Sequence, residues 1–148
     1  DNIKYSILTN GLMFREFYNT VPHVINNLQE LGVSIDGASK ETYEKLRLGG
    51  RWEKILEGLE CMTELKKKYN FRFSLHMVVQ QENWHEVESM LELGRTYNVD
   101  RIYFNKIEDW NTGIDFESQT FTELEEFKKS IRRVSTDPIV WNNVVTLT

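Results

Sequence analysis

The chain has 148 residues, enough for one domain with its own core, and 40% are hydrophobic against 28% charged. With 8 glycines, 2 prolines and 1 cysteine it is neither collagen-like nor disordered. A single cysteine, Cys61, also excludes a disulfide framework, a four-cysteine zinc site and an iron–sulfur cluster held only by this chain's thiolates. The net charge of -5 argues for solubility and against a nucleic-acid partner. No apolar run approaches the ~18 residues of a membrane span. No signal peptide is visible at Asp1-Asn2-Ile3-Lys4, so a cytoplasmic location is expected. The chain does not open on Met, and strand-like residues start at once at Ile3. Residues 1–148 therefore read as a single partial α/β domain excised from a longer protein.

Four runs read as strands: Ile3 to Thr9, Leu28 to Asp36, Phe71 to Val79 and Arg101 to Ile107. Helices fit between them. Thr20-Val21-Pro22 looks like a helix start inside the less clear stretch 12–27. Ser39 caps a short helix through Leu46. Trp52 to Tyr69 carries an apolar stripe through Ile55, Leu59, Met62 and Leu65. Asn83 to Tyr97 is a further helix, with Asn83 and Glu86 spaced as a capping box. Thr120 to Val134 runs from acidic to basic, which complements the helix dipole. The loop Glu108 to Gln119 is irregular, and the tail 138–148 reads as a last strand or an extended arm. Strands alternating with helices predict a parallel sheet in an α/β fold.

Strands buried on both faces read as continuous apolar runs. These do not. Ser34 and Asp36 alternate with Val33 and Ile35; Arg72, Ser74 and His76 alternate with Phe71, Phe73, Leu75 and Met77; Tyr103 and Asn105 alternate with Ile102 and Phe104. Residues two apart share a strand face. An open sheet with one wetted face satisfies this pattern. A partial (β/α) barrel, with helices outside and polar residues lining a cavity, satisfies it too and is the preferred reading. Ligands of such folds sit at the carboxyl ends of the strands, here Thr9-Asn10-Gly11, Ser34-Ile35-Asp36-Gly37, the segment from Val79 to Asn83, and Ile107-Glu108-Asp109.

Each strand end alone is a weak signal. Thr9-Asn10-Gly11 is a common turn, and Arg47 is an ordinary helix-end cation. The succession is more specific: Thr9-Asn10-Gly11, then Ser34-Ile35-Asp36-Gly37, a short helix ending in Arg47, Gly49-Gly50, Trp52, a helix with Gly58-Leu59, and a strand leading to Asn83. Over residues 3–110 this resembles the later part of the core of radical S-adenosylmethionine (radical SAM) enzymes, particularly the group with SPASM or twitch extensions.

The resemblance implies a partial barrel and two cofactors in the parent enzyme, S-adenosylmethionine and a 4Fe-4S cluster. It implies that Ser34 bonds the cofactor's ribose and Arg47 its carboxylate, a group that a guanidinium fork matches. Asp36 is expected to reach ribose or substrate, and Asn10 and Gly11 to shape the strand end below the cofactor. Asn83 is expected either to contact the cofactor or to cap its helix. His76 and Asn105 are the candidate substrate-lining residues, although a plain structural histidine is the preferred reading of His76 from its residue type and place alone. The resemblance implies a small-molecule or peptide substrate in the parent enzyme.

The family's three-cysteine motif is not in this sequence, and Cys61 reads as an incidental helix-surface or partly buried thiol. By itself the chain is expected to take up no iron, to form no 5′-deoxyadenosine and to bind S-adenosylmethionine weakly or not at all. It is either a piece of such an enzyme or a degenerate descendant. A non-catalytic α/β domain that binds a small ligand or partner, and a nucleotide- or sugar-binding transferase domain, are the alternatives. An incomplete barrel exposes a sheet edge, which makes dimerisation through that edge an expectation. His23 and His85 form no metal motif. Lys66-Lys67-Lys68 reads as a helix C-terminus, and Trp110 as core.

Overall fold

The computed structural model describes residues 3–106 and 124–141. Its element order is β1 Tyr5–Thr9, α1 Phe14–Thr20, β2 Leu28–Ser34, α2 Lys40–Leu46, α3 Trp52–Lys66, β3 Arg72–Val79, α4 Val87–Thr96, β4 Arg101–Lys106 and α5 Glu125–Ser135. Short 3₁₀ turns at Pro22–Ile25 and Trp84–Glu86 precede β2 and α4. The strands form one sheet in the order β1-β2-β3-β4, every pair parallel. Sequential parallel strands with right-handed crossovers send their helices to one side.

That side holds the core. Leu31, Val33, Ile35, Phe73, Leu75, Met77, Val79, Ile102 and Phe104 are all fully buried on it. Each such side chain contributes on the order of 1.5–3 kcal/mol relative to exposure. From α3, Ile55, Leu59, Met62 and Leu65 complete the layer, the stripe read from the sequence. Cys61 lies in this core as well and is not a surface thiol. Burial pushes its pKa up, which favours the protonated thiol.

Three local devices set where the chain turns toward the strand ends. Ser39 Oγ accepts the Thr42 N–H at 3.3 Å and caps α2. Gly11 has φ +75°, a conformation that other residues adopt rarely. Its carbonyl oxygen lies 2.3 Å from where a Cβ on Gly58 would stand, so α3 meets the end of β1 backbone to backbone.

The capping box expected at Asn83 and Glu86 is not formed. Asn83 makes no side-chain cap, and α4 proper begins at Val87, after the 3₁₀ turn. Glu86 is buried and reaches back to the loop after β2. Its Oε2 accepts the Ala38 N–H at 2.6 Å, and its Oε1 accepts the Ser39 and Thr42 hydroxyls at 2.5 and 2.8 Å. A contact across 48 residues was invisible to a local spacing rule.

The tail joins the sheet as far as it is described: Ile102 and Val140 form a parallel bridge beside β4. Arg101 stacks over the Trp141 ring at 3.8 Å. The loop Glu108 to Gln119, Trp110, residues 120–123 of the last expected helix, and residues 142–148 lie outside the described residues.

Candidate functional site

The second sheet face carries the polar residues. Register places Ser34 beside His76, His76 beside Tyr103, and Val78 beside Asn105. Ser34, Asp36, His76, Tyr103 and Asn105 are half-buried there, whereas Val33, Ile35, Leu75, Met77, Ile102 and Phe104 next to them are sealed in the core. The face therefore unites four of the expected residues, Ser34, Asp36, His76 and Asn105, with Arg47 at its carboxyl end.

The carboxyl end is tightly ordered around Asp36. Its Oδ1 accepts the Val78 N–H at 2.9 Å, and its Oδ2 pairs with Arg47 Nη2 at 2.7 Å. One carboxylate thus links the end of β2, the end of β3 and the last residue of the α2 turn. Arg47 Nε is the one buried side-chain nitrogen or oxygen among the described residues that lacks a partner. An unpaired buried donor costs about 1–3 kcal/mol, so this nitrogen marks a place where an acceptor belongs.

Asn83 is fully buried and uses its whole amide. Oδ1 accepts the Gln80 N–H at 2.8 Å, while Nδ2 donates to the Asp36 and Val78 carbonyl oxygens at 2.9 and 2.8 Å. It staples the ends of β2 and β3 and leaves no donor free. Asn10 is exposed and serves its own turn, Oδ1 accepting the Leu12 N–H at 3.2 Å. Gly11 is buried against Ile55 and α3.

Ser34 and Asn105 differ from these. Neither side chain has a hydrogen-bond partner among the described residues, and neither is sealed from solvent. Both remain available on this face. Lower on the same face, Glu30, Ser74, His76 and Tyr103 form a connected group. Ser74 Oγ donates to Glu30 Oε1 at 2.8 Å and lies 3.1 Å from His76 Nε2. The His76 and Tyr103 rings stack at 4.4 Å. Burial would raise the Glu30 pKa, but hydrogen bonds from Ser74 and Arg72 outweigh it and hold the carboxyl below its ordinary value. Burial lowers the His76 pKa against the opposing pull of Glu30, so the ring is neutral at pH 7. The alternation of polar residues put Ser74 and His76 on one face, but nothing local in sequence pointed to Glu30 as their partner.

A parallel sheet alternating with helices, with open polar groups and an arginine at its carboxyl end, is an α/β fold of the class whose ligands sit at the strand ends. The family follows from comparison. Residues 1–94 match the model of the radical SAM superfamily, and the chain belongs to that superfamily. It is 29% identical over 99 residues to an AdoMet-dependent heme synthase of Methanosarcina barkeri, covering 63% of this chain and 26% of that protein. It is 25% identical over 136 residues to a probable GTP 3′,8-cyclase of Saccharolobus islandicus, covering 86% of this chain and 42% of that one. The chain thus spans about a quarter to two-fifths of the length of these relatives.

Solved structures agree on the fold. Streptococcus suis SuiB bound to S-adenosylmethionine superposes with a TM-score of 0.62 at 12% identity, over 90% of this chain and 29% of that one. SuiB bound to its precursor peptide SuiA gives 0.65 at 11% identity, over 99% and 34%. An archaeal TYW1 gives 0.53 at 17% identity, over 90% and 39%.

The family implies S-adenosylmethionine and a 4Fe-4S cluster. The cluster does not fit these residues. The chain has one cysteine, buried in α3, and the described residues hold no metal-binding group of three or more His, Cys, Asp or Glu side chains. The cofactor's polar end does fit. Arg47 offers an unpaired buried donor, and Ser34 a free hydroxyl. No described helix is long and apolar enough to cross a membrane.

Proposed function

We propose that this chain is the later part of a radical SAM catalytic core and supplies contacts to S-adenosylmethionine together with one wall of the substrate chamber. The orphaned Nε of Arg47 carries this reading. Asp36 fixes the guanidinium through one nitrogen and leaves Nε buried without an acceptor, which a carboxylate would satisfy. Ser34, on the same strand face, has its hydroxyl free for the ribose. Asp36 then positions Arg47 and does not itself bind the ligand. Asn83, Asn10 and Gly11 hold the strand ends in place.

When bound, S-adenosylmethionine supplies the radical that abstracts hydrogen from the substrate in this superfamily. The residues of this chain orient it and shield it. His76 and Asn105 face the space where substrate would lie. A small molecule or a peptide is the substrate class, in keeping with the peptide bound by SuiB. The cluster is assigned to residues outside these 148, in a longer protein. Among the described residues β1 has a neighbour on one side only, and Leu8, Met13 and Phe17 are exposed near it. A further strand or a second copy would add at that edge.

The test is anaerobic reconstitution of the full-length protein with iron and sulfide, followed by reduction in the presence of S-adenosylmethionine. Formation of 5′-deoxyadenosine is expected, and its loss in the 148-residue piece alone. A full-length protein that takes up no cluster and forms none of this product would overturn the proposal.

A further inference from the structure

Glu30, Ser74 and His76 form a directional chain of hydrogen bonds, and its direction fixes which nitrogen of His76 faces outward. Glu30 is ionised and can only accept. Arg72 Nη1 donates to its Oε2 at 2.9 Å, and the Ser74 hydroxyl donates to its Oε1 at 2.8 Å. Ser74 is fully buried and has one proton, which is thereby spent on Glu30. Its oxygen can only accept from the His76 nitrogen 3.1 Å away. The opposite assignment would set a serine lone pair against a carboxylate oxygen. His76 Nε2 therefore carries the hydrogen, and in the neutral ring Nδ1 carries the lone pair.

Two further features hold the ring in that pose. Tyr103 stacks on it at 4.4 Å. Gly32 lies under its inner edge, where a Cβ would stand 2.8 Å from Nε2. The other edge bears Nδ1, which has no partner among the described residues and is not sealed from solvent.

We propose that His76 is a substrate-orienting residue that presents a fixed Nδ1 acceptor to the open face of the sheet, and that its ligand is a neutral hydrogen-bond donor such as a backbone amide N–H or a hydroxyl. Glu30 and Ser74 are positioning residues that set the tautomer, and Gly32 makes room for the ring. The substrate part of this assignment rests on the reading of the face as a radical SAM chamber. The tautomer does not.

The experiment is ¹⁵N–¹H correlation of the histidine rings in the full-length protein at pH 7. His76 is expected as a single neutral Nε2–H tautomer. In Ser74→Ala a mixture of tautomers is expected, and in Gly32→Ala a displaced ring with loss of the Tyr103 ring-current shift. An Nδ1–H tautomer in the parent protein, or an unchanged tautomer in Ser74→Ala, overturns the relay. Ligand class is read by adding N-methylacetamide, which has one N–H, and N,N-dimethylacetamide, which has none. The first should shift the Nδ1 resonance and the second should not; equal responses, or none, overturn the donor assignment. S-adenosylmethionine affinity measured on the same sample separates the cases. If it is absent while the tautomer holds, the functional reading fails and the relay stands.

Discussion

Arg47 Nη2 lies 2.7 Å from Asp36 Oδ2, and the same Asp36 carboxylate accepts the Val78 N–H through its other oxygen. The pair is partly exposed, so its own contribution to stability is small, about 0–1 kcal/mol. Its main effect is geometric: it holds the guanidinium at the rim of the sheet with Nε turned inward. Asp36→Asn keeps the bond to Val78 but removes the charge partner of Arg47. The expected outcome is a urea midpoint close to the parent's and an S-adenosylmethionine affinity weakened by roughly three- to tenfold, the loss of one positioning contact of about 1 kcal/mol. Calorimetric titration beside urea unfolding checks this; an unchanged affinity would show that Asp36 does not position Arg47.

Asn83 gives a contrasting case. Its three hydrogen bonds are buried and join the ends of two strands. Asn83→Ala leaves one N–H and two carbonyl oxygens without their partner. A loss of about 2–4 kcal/mol in unfolding free energy is expected. A cofactor contact alone would weaken ligand binding with little change in stability, so the two measurements together decide its role.

Glu86 makes the stability depend on acid. Burial tends to raise its pKa, but bonds from Ser39, Thr42 and the Ala38 N–H more than offset this and hold it below its ordinary value of 4.5. A carboxyl depressed in the folded state stabilises above its unfolded pKa. That contribution fades as pH falls from about the ordinary carboxylate value through the depressed one. Unfolding free energy measured between pH 7 and pH 3 should therefore fall more steeply in the parent than in Glu86→Gln. Parallel curves would contradict the assignment.

The close approach of α3 to β1 predicts a packing cost. A Cβ on Gly58 would lie 2.3 Å from the Gly11 carbonyl oxygen, and backbone cannot swing away as a side chain can. Gly58→Ala should lower stability by roughly 1–3 kcal/mol despite alanine's better helix propensity. An equal or higher melting temperature would mean that the helix shifts freely.

The strands and helices were legible because their periodicities are strong. Alternation along Phe73, Leu75 and Met77 marked one buried face, and the spacing of Ile55, Leu59, Met62 and Leu65 marked a helix stripe. That Ser34, Asp36, His76 and Asn105 share a face was legible for the same reason. The uses of Asn83 and Glu86 were not. They sit three residues apart, as a local cap would, yet the Glu86 carboxylate bonds residues more than 40 positions away, and Asn83 adds to its local bonds one to Asp36, 47 positions away. Cys61 was misplaced because α3 packs on the sheet and also beside α1, which widens its buried arc beyond one stripe. The Glu30–Ser74–His76 chain depends on the register of β2 against β3, which no single segment encodes.

The most direct test is titration of the full-length protein with S-adenosylmethionine, comparing the parent with Arg47→Ala and Ser34→Ala. A charge-assisted contact is worth about 1.5–3 kcal/mol, so Arg47→Ala should weaken affinity by roughly ten- to a hundredfold, and Ser34→Ala by several-fold to tenfold. Both variants should retain the parent's unfolding free energy to within about 1 kcal/mol. Binding of equal strength in all three proteins would contradict the assignment of this sheet end as the cofactor site.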